Sequence, residues 1–96
     1  MSNSSRQAEI EQACATLTLY HFESCPFCEK VRQFIKAHAL PIAMRDIRKQ
    51  PDYRDVLVEH GGKQQVPCLH IADIGKDTWM YESGDIIRYL SDRFVD

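Results

Sequence analysis

Long apolar runs are missing from this chain of 96 residues. No stretch approaches the roughly 20 consecutive apolar residues that a helix needs to span a lipid bilayer. The first residues also lack the basic and apolar segments of a secretory signal. We therefore expect a protein that has no membrane partner and works in the cytoplasm, where ordinary thiols are kept reduced.

The sequence also lacks a large excess of either charge. Its 12 basic residues (Lys and Arg) and 14 acidic ones leave a formal net charge of -2. Without a positive surplus, the surface has no general electrostatic reason to bind nucleic acid. The hydrophobic share of 44% and the charged share of 27% are ordinary for one soluble globular domain.

The sequence also has no repeats, low-complexity tracts or internal linkers. We therefore predict its domain, strands and helices from hydrophobic periodicity. We expect an N-terminal tail with a short helix in residues 1–15, the first five of them unstructured, and one domain over residues 16–96. Alternation predicts strands over 16–22, 41–47, 66–73 and 78–82, the last two separated by a turn at 75–77. A repeat of three to four residues predicts helices over 26–39, 50–60 and 84–94, with Ser83 as the cap of the last.

This β-α-β-α-β-β-α order predicts an α/β domain with a mixed four-stranded sheet flanked by helices. The opening β-α-β unit favours two parallel strands joined by a right-handed crossover. The short connection between the last two strands favours an antiparallel hairpin.

Cysteine is scarce, with four in the chain, but two of the four lie three residues apart. Cys25 and Cys28 flank Pro26 at the predicted junction of the first strand and its helix, where the missing N–H of a proline costs nothing. The same spacing suits a redox dithiol, half of a metal site or a buried structural pair.

The other candidate metal ligands are scattered, which weighs against the metal site. A structural zinc site usually takes four ligands, whereas this chain offers isolated ones: Cys14, Cys68, His21 and His38. We therefore expect no metal. A C-x-x-C pair beside a β-α-β unit in a reducing compartment favours the redox interpretation.

The two thiols are predicted to have different roles. Cys25 would lie at the helix start, where unpaired N–H groups and the helix dipole favour a thiolate, so it is the candidate nucleophile. Cys28, one turn later, would be shielded and could resolve a mixed disulfide formed at Cys25. The carboxylate of Glu23 opposes the thiolate, and Lys30 and Arg32 are the candidate compensating charges.

Three motifs, in this order and spacing, resemble those of glutaredoxins: Cys-Pro-Phe-Cys at 25–28, Val-Pro at 66–67 and Glu-Ser-Gly-Asp-Ile at 82–86. The resemblance covers about residues 16–95 and implies a thioredoxin-like fold. It also implies a cis peptide bond before Pro67, facing the dithiol. The backbone of Val66 would then bind the cysteinyl part of glutathione.

The last motif, extended to Glu-Ser-Gly-Asp-Ile-Ile-Arg-Tyr-Leu, also resembles the N-terminal domain of glutathione transferases. In that family the Glu-Ser pair binds the γ-glutamyl end of glutathione, which implies this role for Glu82 and Ser83. The free N–H of Gly84 would complete a carboxylate-binding helix start. Arg54 falls where glutaredoxins often bind the glycine carboxylate of glutathione.

Two positions depart from the glutaredoxin pattern. Phe22 stands where many members have a lysine that contacts glutathione and favours the thiolate, and Gln65 replaces the usual threonine before Val-Pro. These differences bear on glutathione affinity and on the activation of Cys25. We expect Cys68, which follows the proline, to pack in the core.

The resemblance implies a glutathione-dependent thiol-disulfide oxidoreductase that uses glutathione as its reducing co-substrate. Its partners would be disulfide-containing or glutathionylated proteins, and we expect a monomer. Two alternatives stay open: a thioredoxin-like reductant fed by a flavoprotein reductase, and a module that holds an iron–sulfur cluster through Cys25 and glutathione. Conjugation by a full glutathione transferase is not expected, because the chain ends at Asp96 without a second, all-helical domain.

Overall fold

The structure, a computed structural model, describes residues 2–73 and 75–95. The strands are β1 (Leu17–His21), β2 (Ala43–Asp46), β3 (Cys68–Asp73) and β4 (Lys76–Met80). The helices are α1 (Ser2–Cys14), α2 (Pro26–Ala37), α3 (Pro51–Val56), which continues as a π-helical turn (Leu57–Gly61), and α4 (Ser83–Phe94). Within the described part of the chain, no helix is long and apolar enough to cross a membrane.

The four strands form one mixed sheet in the order β2-β1-β3-β4. Strand β1 is parallel to β2, with His21 opposite Asp46, and antiparallel to β3, which pairs antiparallel with β4. Because β1 and β2 are parallel, their carboxyl ends meet at the same end of the sheet. The predicted thioredoxin-like arrangement of a mixed four-stranded sheet flanked by helices is confirmed.

Apolar side chains that alternate along the strands cover both faces of the sheet. On one face, β1 and β3 pack against α1, α2 and α4, and the buried residues include Leu19, Leu69 and Ile86. On the other face, Tyr20 and Cys68 pack against α3 and its π-helical turn. Burial of a side chain such as that of Leu19 contributes about 1.5–3 kcal/mol to stability. Packing on both faces of the sheet therefore holds β1 and α2, and the loop that connects them, in place.

Several boundaries differ from those predicted, and three of the differences bear on how the chain is arranged. Helix α1 begins at Ser2, within the segment for which an unstructured tail was expected. Strand β4 begins at Lys76, so the hairpin turn tightens around Gly75, whose positive φ of 73° suits glycine. Strand β3 begins only at Cys68, because the preceding proline has no N–H to donate to the sheet.

The predicted cap of α4 was wrong. Glu82, not Ser83, is the N-cap: its backbone is extended (φ -87°, ψ 129°), and its C=O accepts a hydrogen bond from the N–H of Ile86 at 2.9 Å. Ser83 is therefore the first helical residue. The N–H groups of Ser83, Gly84 and Asp85 have no partner within the helix, as in the first turn of any α-helix.

Candidate functional site

Cys25 and Cys28 lie together at the start of α2. Cys25 is the N-cap, with an extended backbone (φ -80°, ψ 117°), and Pro26 follows in the first turn. The backbone N–H of Cys28 donates a hydrogen bond to Sγ of Cys25 over 3.3 Å. Both residues are buried, with 6% of Cys25 and 0% of Cys28 exposed. The sulfur of Cys25 therefore lies at the N-terminus of the helix, where it accepts a backbone hydrogen bond.

The guanidinium of Arg32 holds the loop that leads into Cys25. It donates hydrogen bonds to the backbone C=O groups of Phe22 at 3.2 Å and Glu23 at 3.0 Å, and a further one to Nδ1 of His21 at 3.1 Å. The C=O of Phe22 also accepts the N–H of Cys25 at 3.2 Å. Burial, and next the charge of Arg32, lower the pKa of His21, which leaves a neutral imidazole as acceptor. Arg32 thus positions Cys25 through the loop backbone.

The charges around Glu23 are arranged differently from the prediction. The carboxylate of Glu23 pairs with the ammonium of Lys49 at 3.2 Å, and both side chains are exposed. The ammonium of Lys30 lies 5.8 Å from the centre of the Phe27 ring, and Phe27 is itself 57% exposed. Lys49, rather than Lys30 or Arg32, is therefore the charge that offsets Glu23.

Burial separates the chemistry of the two thiols. Burial, and next the hydrogen bond with Cys25, raise the pKa of Cys28 to about 12. The Cys28 thiol therefore stays protonated at neutral pH and does not compete with Cys25 as a nucleophile. This asymmetry fits an attacking thiol at the helix start and a resolving thiol behind it.

An open cleft of about 520 Å³ lies beside Cys25. Cys25 shares its lining with residues from the ends of β1 and β2, from α3 and from the segment before the proline: Phe22, Ile47, Arg48, Pro51, Arg54, Gln64, Gln65 and Val66. Two residues predicted to bind glutathione, Arg54 and Val66, therefore lie in the same cleft as Cys25. The two positions that depart from the glutaredoxin pattern, Phe22 and Gln65, also line it.

A smaller groove of about 170 Å³ adjoins the cleft and shares two lining residues with it. Its lining consists of Phe27, Gln65, Val66, Pro67, Tyr81, Glu82 and Ser83. The peptide bond between Val66 and Pro67 is cis, as the resemblance to glutaredoxins implied. The groove thus gathers four of the predicted glutathione-binding residues, Val66, Pro67, Glu82 and Ser83, whereas Gly84 lies exposed in the first turn of α4.

Sequence reasoning missed a charged residue of the cleft, Arg48. Its guanidinium carbon lies 3.8 Å from the centre of the Phe22 ring, and it donates a hydrogen bond to Oγ of Ser24 at 3.3 Å. The predicted parallel pairing of the first two strands could have found it, because residues that follow parallel neighbours lie side by side. His21 is opposite Asp46, so Arg48 lies beside the loop that leads into the nucleophile.

The remaining cysteines are core residues. Cys68 is 0% exposed, which confirms the prediction of core packing, and burial raises its pKa to about 12. Burial also raises the pKa of Cys14. Among the residues that the structure describes, no three or more His, Cys, Asp or Glu side chains form a group that could hold a metal ion. The two thiols at the start of α2 are therefore the candidates for reaction.

A family model matches most of the chain. Residues 19–96 match the model described as "Glutathione S-transferase, N-terminal domain". The chain belongs to this family. Membership confirms the resemblance to the N-terminal domain of glutathione transferases that the extended motif at 82–90 indicated.

Comparisons with individual proteins agree with the family. Prostaglandin E synthase 2 from Mus musculus is 30% identical over 79 residues, which cover 82% of this chain and 17% of the mouse protein. Maleylacetoacetate isomerase from Anaeromyxobacter dehalogenans, solved with glutathione in its active site, has a TM-score of 0.64 at 21% identity, covering 82% of this chain and 38% of the isomerase. A glutaredoxin from Archaeoglobus fulgidus has a TM-score of 0.59 at 18% identity, covering 76% of this chain and 83% of the glutaredoxin. The two solved structures share the thioredoxin-like fold with this chain, and the chain spans only a small part of the mouse relative.

Proposed function

We propose that this domain is a glutathione-dependent thiol-disulfide oxidoreductase with Cys25 as the nucleophile. The observation that carries the proposal is the pairing of the two cysteines at the start of α2. The sulfur of Cys25 accepts an N–H hydrogen bond at the helix start, and Cys28 is fully buried behind it. A reactive thiolate beside a protonated, shielded thiol is the arrangement that disulfide exchange requires.

In the proposed reaction, the thiolate of Cys25 attacks one sulfur of a substrate disulfide. The substrate S–S bond breaks, a mixed disulfide forms at Cys25, and the other sulfur leaves as a thiolate that takes a proton from solvent. When Cys25 carries a glutathionyl group, a second glutathione thiolate attacks the glutathione sulfur, which releases oxidised glutathione and the Cys25 thiolate.

When the mixed disulfide joins Cys25 to a protein substrate, Cys28 resolves it. The Cys28 thiol gives up its proton and attacks the sulfur of Cys25, so that the substrate leaves as a thiol and an internal disulfide forms. Two glutathione molecules then reduce this internal disulfide and leave as oxidised glutathione.

We propose that glutathione lies along the cleft and the adjoining groove. The backbone of Val66 would bind its cysteinyl part in the manner of an added strand. Glu82 and Ser83, with the unpaired N–H of Gly84, would bind the γ-glutamyl end, and the guanidinium of Arg54 would bind the glycine carboxylate. Support comes from maleylacetoacetate isomerase, a structural neighbour that holds glutathione in its active site.

We further propose that the protein acts as a monomer in the cytoplasm, on disulfide-containing or glutathionylated proteins. A reducing compartment supplies the glutathione that regenerates the dithiol. Recycling by a flavoprotein reductase is the alternative if glutathione does not reduce the protein.

A second candidate function is glutathione binding as one part of a larger enzyme. The observation behind it is the length of Prostaglandin E synthase 2 from mouse, of which the matched region covers 17%. In that case the cleft beside Cys25 would hold glutathione against a substrate bound partly by another domain. Turnover of small disulfides by this domain favours the oxidoreductase, and glutathione binding without turnover favours the larger enzyme.

The experiment measures glutathione-coupled reduction of two peptides, one glutathionylated and one with an internal disulfide. We expect Cys25→Ser to abolish both reactions, whereas Cys28→Ser keeps the first and loses the second. Cys14→Ala is the control, because Cys14 packs in the core away from the cleft. Activity that survives in Cys25→Ser would rule out the mechanism.

A further inference from the structure

The cleft beside Cys25 carries positive charge. The described residues that line it include two charged ones, Arg48 and Arg54, and no carboxylate. A guanidinium binds a carboxylate through paired hydrogen bonds and keeps its charge at every physiological pH. Such a cleft therefore favours reactants that carry a carboxylate over neutral ones.

Arg48 is fixed on the side of the cleft where the nucleophile lies. Its guanidinium stacks on the ring of Phe22 at 3.8 Å and donates a hydrogen bond to Oγ of Ser24 at 3.3 Å. Phe22 and Ser24 both belong to the loop that ends at Cys25. Stacking on an aromatic face uses the flat side of a guanidinium and leaves N–H groups at its edge available to an anion.

The carboxylates nearest to the cleft do not pair with the guanidinium of Arg48, although Glu23 and Asp46 line a second surface recess with Arg48 and Asp55 pairs with Arg54 at 3.9 Å. Glu23 pairs with Lys49 at 3.2 Å. The carboxylate of Asp46 accepts the backbone N–H groups of Arg48 at 2.8 Å and Lys49 at 3.0 Å. Within the described chain, no carboxylate forms an ion pair with the guanidinium of Arg48. The guanidinium of Arg48 is therefore available to a carboxylate that enters the cleft.

From this geometry we infer that Arg48 is a specificity-determining residue, which draws carboxylate-bearing reactants to Cys25 in preference to neutral ones. It acts through its charge on the approaching reactant, while bond making and breaking stay at the sulfur atoms. The inference rests on the proposed function for its substrate class, a disulfide with a carboxylate close to the sulfur. Two sources offer that carboxylate: the glycine end of glutathione and an acidic residue beside the cysteine of a protein substrate.

Alkylation of Cys25 tests the charge effect without glutathione, in a Cys28→Ser background. Iodoacetate and iodoacetamide are nearly isosteric, and with each the sulfur–carbon bond forms as iodide leaves, but only iodoacetate is charged. We expect Arg48→Gln to lower the ratio of the iodoacetate rate to the iodoacetamide rate about three- to tenfold. Arg48→Lys, which keeps the charge, should retain most of the native ratio.

Arg88→Gln is the matched control, because it makes the same substitution at an exposed position of α4, outside the lining of the cleft. It should leave the ratio within about twofold of the parent. The effect of Arg48→Gln should also shrink at about 1 M salt, where charges are screened within a few ångströms. An unchanged ratio in Arg48→Gln, or an equal fall in Arg88→Gln, overturns the inference.

Turnover of two glutathionylated peptides, with acidic or neutral residues beside the cysteine, separates the two sources of carboxylate. A rise in KM for both peptides in Arg48→Gln assigns the contact to glutathione, and a rise for the acidic peptide alone assigns it to the protein substrate. No rise with either peptide contradicts the specificity role. A native protein that turns over neither peptide, but whose alkylation ratio falls in Arg48→Gln, would refute the proposed function and leave the charge effect standing.

Discussion

The backbone N–H of Cys28 lies 3.3 Å from Sγ of Cys25 and donates a hydrogen bond to it. Because the donor belongs to the backbone, this contact depends on the start of α2 and not on the side chain of Cys28. Under the proposed function, Cys28 therefore contributes in two separate ways: its N–H stabilises the nucleophile, and its buried thiol resolves a mixed disulfide. The two contributions can be tested singly.

Replacing Cys28 by alanine removes the resolving thiol and keeps the N–H. We expect Cys25 in Cys28→Ala to react with iodoacetamide at neutral pH within about twofold of the native rate. Intact mass of timed samples gives the rate, and peptide mapping identifies the modified cysteine. A fall of about tenfold or more would mean that the Cys28 side chain, and not its N–H, activates the nucleophile.

Removing the guanidinium of Arg32 should loosen the loop before Cys25. Glutamine cannot reach all three acceptors, so we expect Arg32→Gln to lower the free energy of unfolding by about 1–2 kcal/mol and to slow the alkylation of Cys25. Arg88, exposed on α4, is the matched control, and Arg88→Gln should change neither quantity. Urea denaturation measures the free energy of unfolding, and alkylation kinetics measure the reactivity of Cys25. Equal results for Arg32→Gln and Arg88→Gln would refute the positioning role of Arg32.

Cys68 makes stability depend on pH in the alkaline range. Its pKa of about 12 in the folded protein lies above the ordinary thiol value of 9.0, so the folded state holds this proton more tightly than the unfolded chain. The stabilisation of the folded state that results from this difference in pKa is complete below pH 9.0 and is lost as the pH rises towards about 12. We expect the free energy of unfolding to fall over this window, and less steeply in Cys68→Ala. Urea denaturation at several pH values gives both slopes, which would be parallel if Cys68 had no such effect.

Replacing glycine by alanine should change the stability in opposite directions at Gly61 and at Gly84. A Cβ at Gly61 would collide with the hydroxyl of Tyr81 and lie 3.0 Å from the ring of Trp79, so Gly61→Ala should lower stability by about 1–3 kcal/mol. A Cβ at Gly84 meets no described atom within 4 Å, so Gly84→Ala should raise stability by up to about 1 kcal/mol. Thermal unfolding checks both, and a more stable Gly61→Ala would mean that Tyr81 moves away at no cost.

The order of strands and helices could be predicted because each element has a clear local period. Leu17 and Leu19 alternate along β1, and Ile86, Leu90 and Phe94 recur every four residues along α4; all five are buried. The dithiol could be predicted for the same reason, since the two cysteines and the proline between them lie within one turn of helix.

The features that the sequence did not predict depend on contacts between distant segments or on individual backbone hydrogen bonds. Ser83 suits an N-cap by residue type, but the N–H of Ile86 bonds to the C=O of Glu82 and moves the cap by one residue. Phe22 in place of a lysine suggested that a positive charge was missing near the nucleophile. The parallel pairing of β1 and β2 brings the guanidinium of Arg48 onto the Phe22 ring, which the residues around Phe22 do not indicate.

Trapping tests most directly the central claim that Cys25 is the nucleophile of a glutathione-dependent exchange. The Cys28→Ser protein, which has no resolving thiol, is mixed with oxidised glutathione and analysed by intact mass and peptide mapping. We predict one glutathionyl group per chain, attached to Cys25 and removed by excess reduced glutathione. No adduct, or an adduct on Cys14 or Cys68, would contradict the claim.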